Sequence, residues 1–233
     1  PGSPVHRFET TFDEWPPPDI TATTWYLGED GTLADEAPAA DGADVFTVDP
    51  TEGEETFFAE DEDYELLAPT WDFAWRVPDD GEAVVYETEP FAADTVLAGA
   101  GYADLWVRAD AEDADVQVTL TVVQADGTEV AVQSGQLRLS HRALAEETGD
   151  DLEVHHDWSE EAREPVEAGE WTPVQIAIPS FAQAFREGSR LRVIISSPGR
   201  DRGTWRFDTT GDEGDRVEVG RGGDVASSVV LSL

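Results

Sequence analysis

The chain has 233 residues, enough to bury one substantial core, and its 52 acidic and 14 basic residues give a formal charge of −38 that would repel nucleic acids and anionic membranes. Cysteine and lysine are absent, which excludes disulfides, thiolate metal sites, cysteine nucleophiles, Walker-type phosphate loops and Schiff-base chemistry. No apolar run approaches the roughly 18 residues that span a membrane, and the N-terminus has no signal-peptide pattern. The compartment is left open, with the cytoplasm slightly favoured.

The acidity has two explanations. Lysine and asparagine have AT-rich codons, so their absence indicates a GC-rich genome, but codon usage alone does not produce aspartate and glutamate. A dense carboxylate surface also keeps a protein soluble in high salt, where the Debye length shortens to roughly 3 Å at 1 M. The composition therefore predicts a salt-adapted protein.

Residues 1–80 are rich in proline, glycine and acidic residues, which interrupt short apolar pieces such as Thr24–Leu27 and Val45–Val48. This pattern is typical of an extended arm that lies against a neighbour. Because methionine is absent throughout, we expect the sequence to be a piece of a longer protein, in which the acidic arm is the connection to a preceding domain.

Regular strand patterns begin at Ala83. Val116–Val122 alternates strictly and places Gln117, Thr119 and Thr121 on the face opposite its aliphatic residues, as in a half-buried antiparallel strand. The Asp-Gly pair within Ala125–Thr128 favours a hairpin turn, after which the alternation resumes. Further strands are predicted over 84–87, 95–99, 105–109, 136–139, 172–178, 190–196, 205–208, 216–219 and 228–233, and short helices over 141–147 and 181–186.

Many short strands with turn signals and few helices predict an all-β fold. We expect residues 81–233 to form a jelly-roll β-sandwich, similar to galactose-binding domains, with residues 1–80 as its N-terminal arm. No internal repeat at a fixed period supports a propeller or a solenoid.

Several segments, in this order, resemble the C-terminal domain of the cocaine-esterase and X-Pro dipeptidyl-peptidase (CocE/NonD) family of α/β-hydrolases. They are Tyr86–Phe91, Leu105–Val116, Gly135–Arg142 and Phe185–Ser197, with Trp15-Pro16 and Tyr26–Leu33 resembling the region that leaves the hydrolase domain. The resemblance implies that the nucleophile, acid and histidine belong to a preceding α/β-hydrolase domain, which would be the partner of this chain. It also implies a parent enzyme that works through a serine acyl-enzyme.

The chain itself offers little for catalysis. No Gly-x-Ser-x-Gly elbow is present, so a serine triad within the chain is not expected. The acidic turn Asp110–Asp115 has the oxygen density of a calcium loop but lacks the glycine and distal glutamate of an EF-hand, so we prefer a solvated turn. We expect no catalytic residue, no cofactor and no metal site.

The remaining candidates are histidines and tryptophans. Trp106, Trp171 and Trp205 lie in strand-like segments and are expected in the core. Neighbouring His155 and His156 should point to opposite faces and cannot easily share a metal. The candidate interface or ligand rim consists of Trp71, Trp75, His141, His155, His156 and Trp158.

Three functions compete. The first is a non-catalytic accessory domain that shapes or covers the active site of its hydrolase and stabilises it, with the rim in contact with that domain. The second is a carbohydrate- or ligand-binding module, in which the rim tryptophans converge on an exposed concave site. The third is a structural domain that forms a homo-oligomer.

Overall fold

The structure is a computed structural model and describes residues 9–49, 51, 78–146, 152–199 and 209–233. Its strands lie in two antiparallel sheets, and the predicted β-sandwich is confirmed. The strands are β1 (Ala22–Leu27), β2 (Leu33–Ala34), β3 (Gly42–Thr47), β4 (Ala83–Glu87), β5 (Thr95–Ala109), β6 (Asp115–Val123), β7 (Glu129–Arg138), β8 (Thr172–Phe185), β9 (Arg190–Ser196), β10 (Arg216–Arg221) and β11 (Ser228–Ser232). No helix in the described ranges is long and apolar enough to span a membrane.

The larger sheet is built around the long strand β5. One edge of β5 pairs with β8 along most of its length, and the other edge pairs with β11 and then with β10. β3 continues the sheet beyond β10, and β1 and β2 continue it beyond β11. Where β10 gives way to β11, the Ser227 hydroxyl accepts a hydrogen bond of 2.9 Å from the Trp106 amide, which satisfies a backbone donor that the interrupted ladder leaves open.

The first three strands come from the region expected to be an extended arm. Residues Ala22–Tyr26 of β1 pair with β11. β3 pairs with β10 from its first residue, Gly42, which lies opposite Arg221. Thus residues 22–47 supply strands of the larger sheet. Their partners lie 169 to 210 positions later in the chain, from Thr47 with Arg216 to Ala22 with Ser232, and local composition carries no information on such distant pairing.

The smaller sheet has the order β4-β9-β6-β7, and β6 and β7 form the predicted hairpin. The expectation that β6 is half-buried is wrong, because both of its faces are buried. Pro198–Gly199, which follows β9, folds back over the outer face: the Gln117 side chain donates to the Gly199 carbonyl at 3.2 Å and also to Thr119 Oγ1 at 3.0 Å. The amide and hydroxyl side chains of Gln117 and Thr119 therefore lie on a face of β6 that is covered by protein.

Two helix predictions are wrong. Residues 181–185 continue β8, with Phe181 opposite Gly99 and Phe185 opposite Thr95. The two buried phenylalanines are four positions apart, a spacing that suits both the helical period and the strand period, so periodicity could not decide. Over 141–146 the chain has only the end of a 3-10 turn at Leu139–His141. The predicted strand over 205–208 lies outside the described residues.

The core lies between the two sheets and consists of the inward residues of both. From Gly101 to Ala109, buried and more exposed positions alternate along β5, so Leu105 and Val107 are buried while Trp106 between them is partly exposed. A polar tie links the sheets: the buried Tyr86 hydroxyl on β4 donates to Asp44 Oδ2 on β3 at 2.7 Å, and Arg221 Nε donates to the same oxygen at 3.0 Å. Burial and this carboxylate raise the pKa of Tyr86 far above its ordinary value.

Candidate functional site

The six predicted rim residues have different positions. Trp71 and Trp75 lie outside the described residues. His141, His156 and Trp158 come together at one end of the sandwich, where the His141 and Trp158 ring centroids are 6.1 Å apart. His155 points away from them; its exposed ring lies 3.8 Å from the Glu153 carboxylate. The structure therefore brings three of the six residues into one cluster.

A concave pocket of about 280 Å³ opens beside this cluster on the outer side of the smaller sheet. It lies between the end of β7, the start of β6 and the segment after β9. Its lining residues are Asp115, Gln136, Leu137, Arg138, His141, Trp158 and Pro198. Of these, only His141 and Trp158 belong to the predicted rim. Pro198 follows β9, and only the tertiary pairing of β9 with β6 brings it to this place.

The charged side of the pocket is formed by an ion pair between Asp115 and Arg138. Arg138 donates to Asp115 through Nε at 2.9 Å and through Nη2 at 3.2 Å. Thr210 adds its amide at 2.6 Å and its hydroxyl at 2.8 Å, both to Asp115 Oδ2. A carboxylate that receives these donors is satisfied by its own chain. The pair therefore contributes shape and rigidity and leaves little net charge in the pocket.

The turn that carries His141 is held in place by the acidic loop before β6. Asp113 Oδ1 accepts a hydrogen bond of 2.9 Å from the Ser140 amide, and the Ser140 hydroxyl lies 3.2 Å from His141 Nδ1. On the other side, Arg142 donates to the Glu164 carbonyl at 2.7 Å. His141 thus stands on a braced turn, which limits its freedom to move away from the pocket.

Two more carboxylates of the acidic turn, those of Asp110 and Asp113, accept hydrogen bonds from the backbone. Asp110 Oδ1 accepts the Arg216 amide at 2.8 Å, and Asp113 also accepts the Ala114 amide at 3.1 Å. Across the described ranges, no group of three or more histidine and acidic side chains is placed to hold a metal ion. These contacts show that the turn organises neighbouring backbone.

Trp158 contacts two histidine rings. The His156 centroid lies 5.3 Å from the indole with an interplanar angle of 58°, and the His141 centroid lies 6.1 Å from it with an interplanar angle of 34°. The segment is fixed through its backbone, because the Asp157 amide donates to the Ala143 carbonyl at 2.9 Å and the Ser159 amide donates to Asp157 Oδ1 at 2.9 Å. Even so, 63% of Trp158 is exposed, more than any other large apolar side chain in the described ranges.

His156 is the buried member of the cluster. Both of its ring nitrogens are inaccessible to solvent, and no group of the described chain meets hydrogen-bond geometry with either of them. Burial lowers the pKa of His156 below its ordinary value, while nearby backbone carbonyls of Ala143, Arg142 and Gln175 oppose this effect. The ring is therefore neutral at pH 7 and supports Trp158 as an apolar surface.

We expect His156 to make the fold less stable as the pH falls from about 6.5. The unfolded chain takes up the proton near the ordinary pKa of about 6.5, before the folded chain does, so the free energy of unfolding falls by up to about 1.4 kcal/mol per pH unit between the two pKa values. Urea titrations between pH 7 and pH 5.5 should show this slope. His156→Phe should flatten it, and His155→Gln, at the exposed neighbour, should leave it unchanged; equal slopes in all three proteins would contradict the assignment.

Two of the tryptophans expected in the core lie on the outer face of the larger sheet, and that expectation is wrong. Trp106 and Trp171 are partly exposed, and the Arg108 guanidinium lies 4.5 Å above the Trp171 ring. Arg108 also pairs with Glu218 at 2.6 Å. The strand pattern predicted the alternation correctly, but aromatic residues occupy the outward positions. Trp205 lies outside the described residues.

Comparison with known proteins shows the family. Residues 4–219 match the family described as X-Pro dipeptidyl-peptidase C-terminal non-catalytic domain. The chain is 26% identical to a cocaine esterase from Rhodococcus sp. over 200 residues, which are 79% of this chain and 31% of the esterase. The chain spans about a third of the length of the curated relatives it matches.

Solved structures show the same fold. A CocE/NonD family hydrolase from Staphylococcus aureus matches with a TM-score of 0.73 and 20% identity, over 96% of this chain and 38% of the hydrolase. An aminopeptidase from a marine sediment archaeon, Thaumarchaeota archaeon, matches with a TM-score of 0.68 and 19% identity, over 95% of this chain and 38% of that protein. The resemblance drawn from the sequence motifs is thus confirmed, and the chain belongs to the family of X-Pro dipeptidyl-peptidase C-terminal non-catalytic domains.

Proposed function

We propose that this chain is the accessory domain of a serine hydrolase of the acyl-esterase or X-Pro dipeptidyl-peptidase type, and that it shapes or covers the active site and stabilises the parent enzyme. The observation that carries the proposal is the match of nearly the whole chain to a non-catalytic family, together with its span of about a third of its relatives. The sequence supplies no Gly-x-Ser-x-Gly elbow of its own.

The outer face of the larger sheet is the surface best suited to contact the hydrolase domain. The inner face is closed by the smaller sheet, whereas the outer face presents exposed or partly exposed aromatic and aliphatic side chains on three of its strands, β1, β3 and β5, and beside β8. These are Tyr26, Val45, Tyr102, Trp106 and Trp171. Such side chains are enriched at protein interfaces because they bury much apolar area at little conformational cost. The preceding domain would then bury the aromatic side chains of this outer face, which are not part of the sandwich core.

The purified chain is expected not to hydrolyse p-nitrophenyl acyl esters above the rate of the buffer, because the nucleophile, its histidine and the oxyanion donors would all lie in the other domain. The release of p-nitrophenolate, followed by absorbance, is the measurement. The parent enzyme, assayed in parallel, is the positive control and should turn over. If the chain alone shows turnover that a serine-directed inhibitor abolishes, the accessory role is wrong.

A further inference from the structure

We propose that the pocket beside His141 and Trp158 binds a neutral saccharide. This site is separate from the accessory role, and its ligand class follows from the residues that line it. The sequence had favoured contact of Trp158 with the hydrolase domain. The structure instead places Trp158 at the edge of a concave pocket, together with His141 and Gln136.

The aromatic part of the pocket is prepared for stacking. The Trp158 side chain is 63% exposed and so gains little from burial in the protein. It is nevertheless held in one place by the His141 ring and by the neutral, buried His156 ring. An exposed and rigid indole offers its π face to a ligand without an ordering cost. The C–H groups on one side of a sugar ring form the flat, weakly polar surface that such a face accepts.

The polar part of the pocket selects against charged ligands. An anion meets the overall charge of −38 and finds Arg138 already engaged by Asp115. A cation finds the Asp115 carboxylate occupied by Arg138 and Thr210. The exposed carboxamide of Gln136, which can both donate and accept, is the group that suits hydroxyls.

The size of the pocket limits the ligand. A volume of about 280 Å³ is just below the range of small-molecule sites, which run from roughly 300 to 1,000 Å³. Leu137 and Pro198 add apolar contacts to the lining. The pocket therefore suits the terminal unit of an oligosaccharide or a disaccharide, with one sugar ring on Trp158.

Isothermal titration calorimetry of the whole chain with cellobiose, maltose and lactose tests the proposal. At least one of these neutral disaccharides is expected to bind with a Kd of about 1 mM, and glucose 6-phosphate and glucosamine are expected to bind at least about tenfold more weakly. Trp158→Ala should weaken the binding at least about tenfold, because it removes the aromatic ring on which the sugar stacks. Gln136→Ala should weaken it about fivefold.

Trp15→Ala is the matched control, because Trp15 is a second exposed tryptophan, 50% accessible, that does not line the pocket. It should leave the affinity unchanged. Thermal unfolding checks that each variant is folded, and if Trp158→Ala were unfolded, Gln136→Ala would decide. Absence of binding by all three disaccharides up to about 50 mM, binding that survives both pocket variants, or tighter binding of a charged analogue would each overturn the proposal.

Discussion

Arg192→Met is expected to lower the free energy of unfolding by about 3 kcal/mol, or Tm by about 10 °C. Arg192 on β9 pairs with Glu87 on β4, where its Nε donates to Oε1 at 2.6 Å, and with Glu129 on β7. The fully buried Thr121 of β6 donates to the other Glu129 oxygen at 2.7 Å. One row of side chains thus crosses all the strands of the smaller sheet.

The effect is large because the substitution leaves two carboxylates behind. The side chains of Arg192, Glu87 and Glu129 are only 21%, 29% and 12% exposed, so water cannot replace the lost guanidinium well. Arg190 compensates only in part, because its Nε lies 4.0 Å from Glu87 Oε2 and its side chain is 41% exposed. Methionine keeps the apolar stem of the arginine, so lost packing contributes little.

Arg216→Met is the control, since it removes the same charge from an exposed position and should change stability by less than about 0.5 kcal/mol. A triple variant that adds Glu87→Gln and Glu129→Gln to Arg192→Met should recover most of the loss, because no unpaired charge remains. Urea unfolding of the four proteins is the measurement. If Arg192→Met and Arg216→Met were equally stable, the charge row would be irrelevant to the fold.

Raising KCl from about 0.1 M to 2 M is expected to raise Tm by on the order of 10 °C, because screening shortens the Debye length from about 10 Å to below 3 Å. The formal charge of −38 makes self-repulsion the dominant electrostatic term in low salt. Salt also weakens ion pairs, but partly buried pairs such as Arg192 with Glu129 are screened less than exposed carboxylates are. The net effect of salt should therefore be stabilising.

Calorimetric scans at increasing KCl measure this dependence. A variant with Glu29→Gln, Glu36→Gln and Glu213→Gln, all at exposed positions, should have a higher Tm in low salt and a smaller gain from added salt. This comparison separates charge repulsion from the general effect of salt on apolar burial, which the variant leaves unchanged. A Tm that is unchanged or higher in low salt would refute the salt-adapted interpretation.

Only part of the candidate site could be predicted from the sequence. Exposed Trp158 could be suspected because it follows two histidines and an aspartate in a polar segment. Its pocket could not be predicted, because Gln136 comes from β7 and Pro198 from the segment after β9. The hydrogen bonds that satisfy the Asp115 carboxylate could not be predicted either, since its partners Arg138 and Thr210 are 23 and 95 positions away along the chain.

By itself, the sequence determined the class of fold and the absence of a nucleophile elbow, because strict alternation, Asp-Gly turns and short motifs are local properties. The tertiary structure decided which strands become neighbours. β1 and β3 join the larger sheet by pairing with two strands from the far end of the sequence, β11 and β10. It also decided that Trp106 faces outward and that the polar face of β6 is covered. Alternation assigns residues to two faces, but only long-range packing decides what lies against each face.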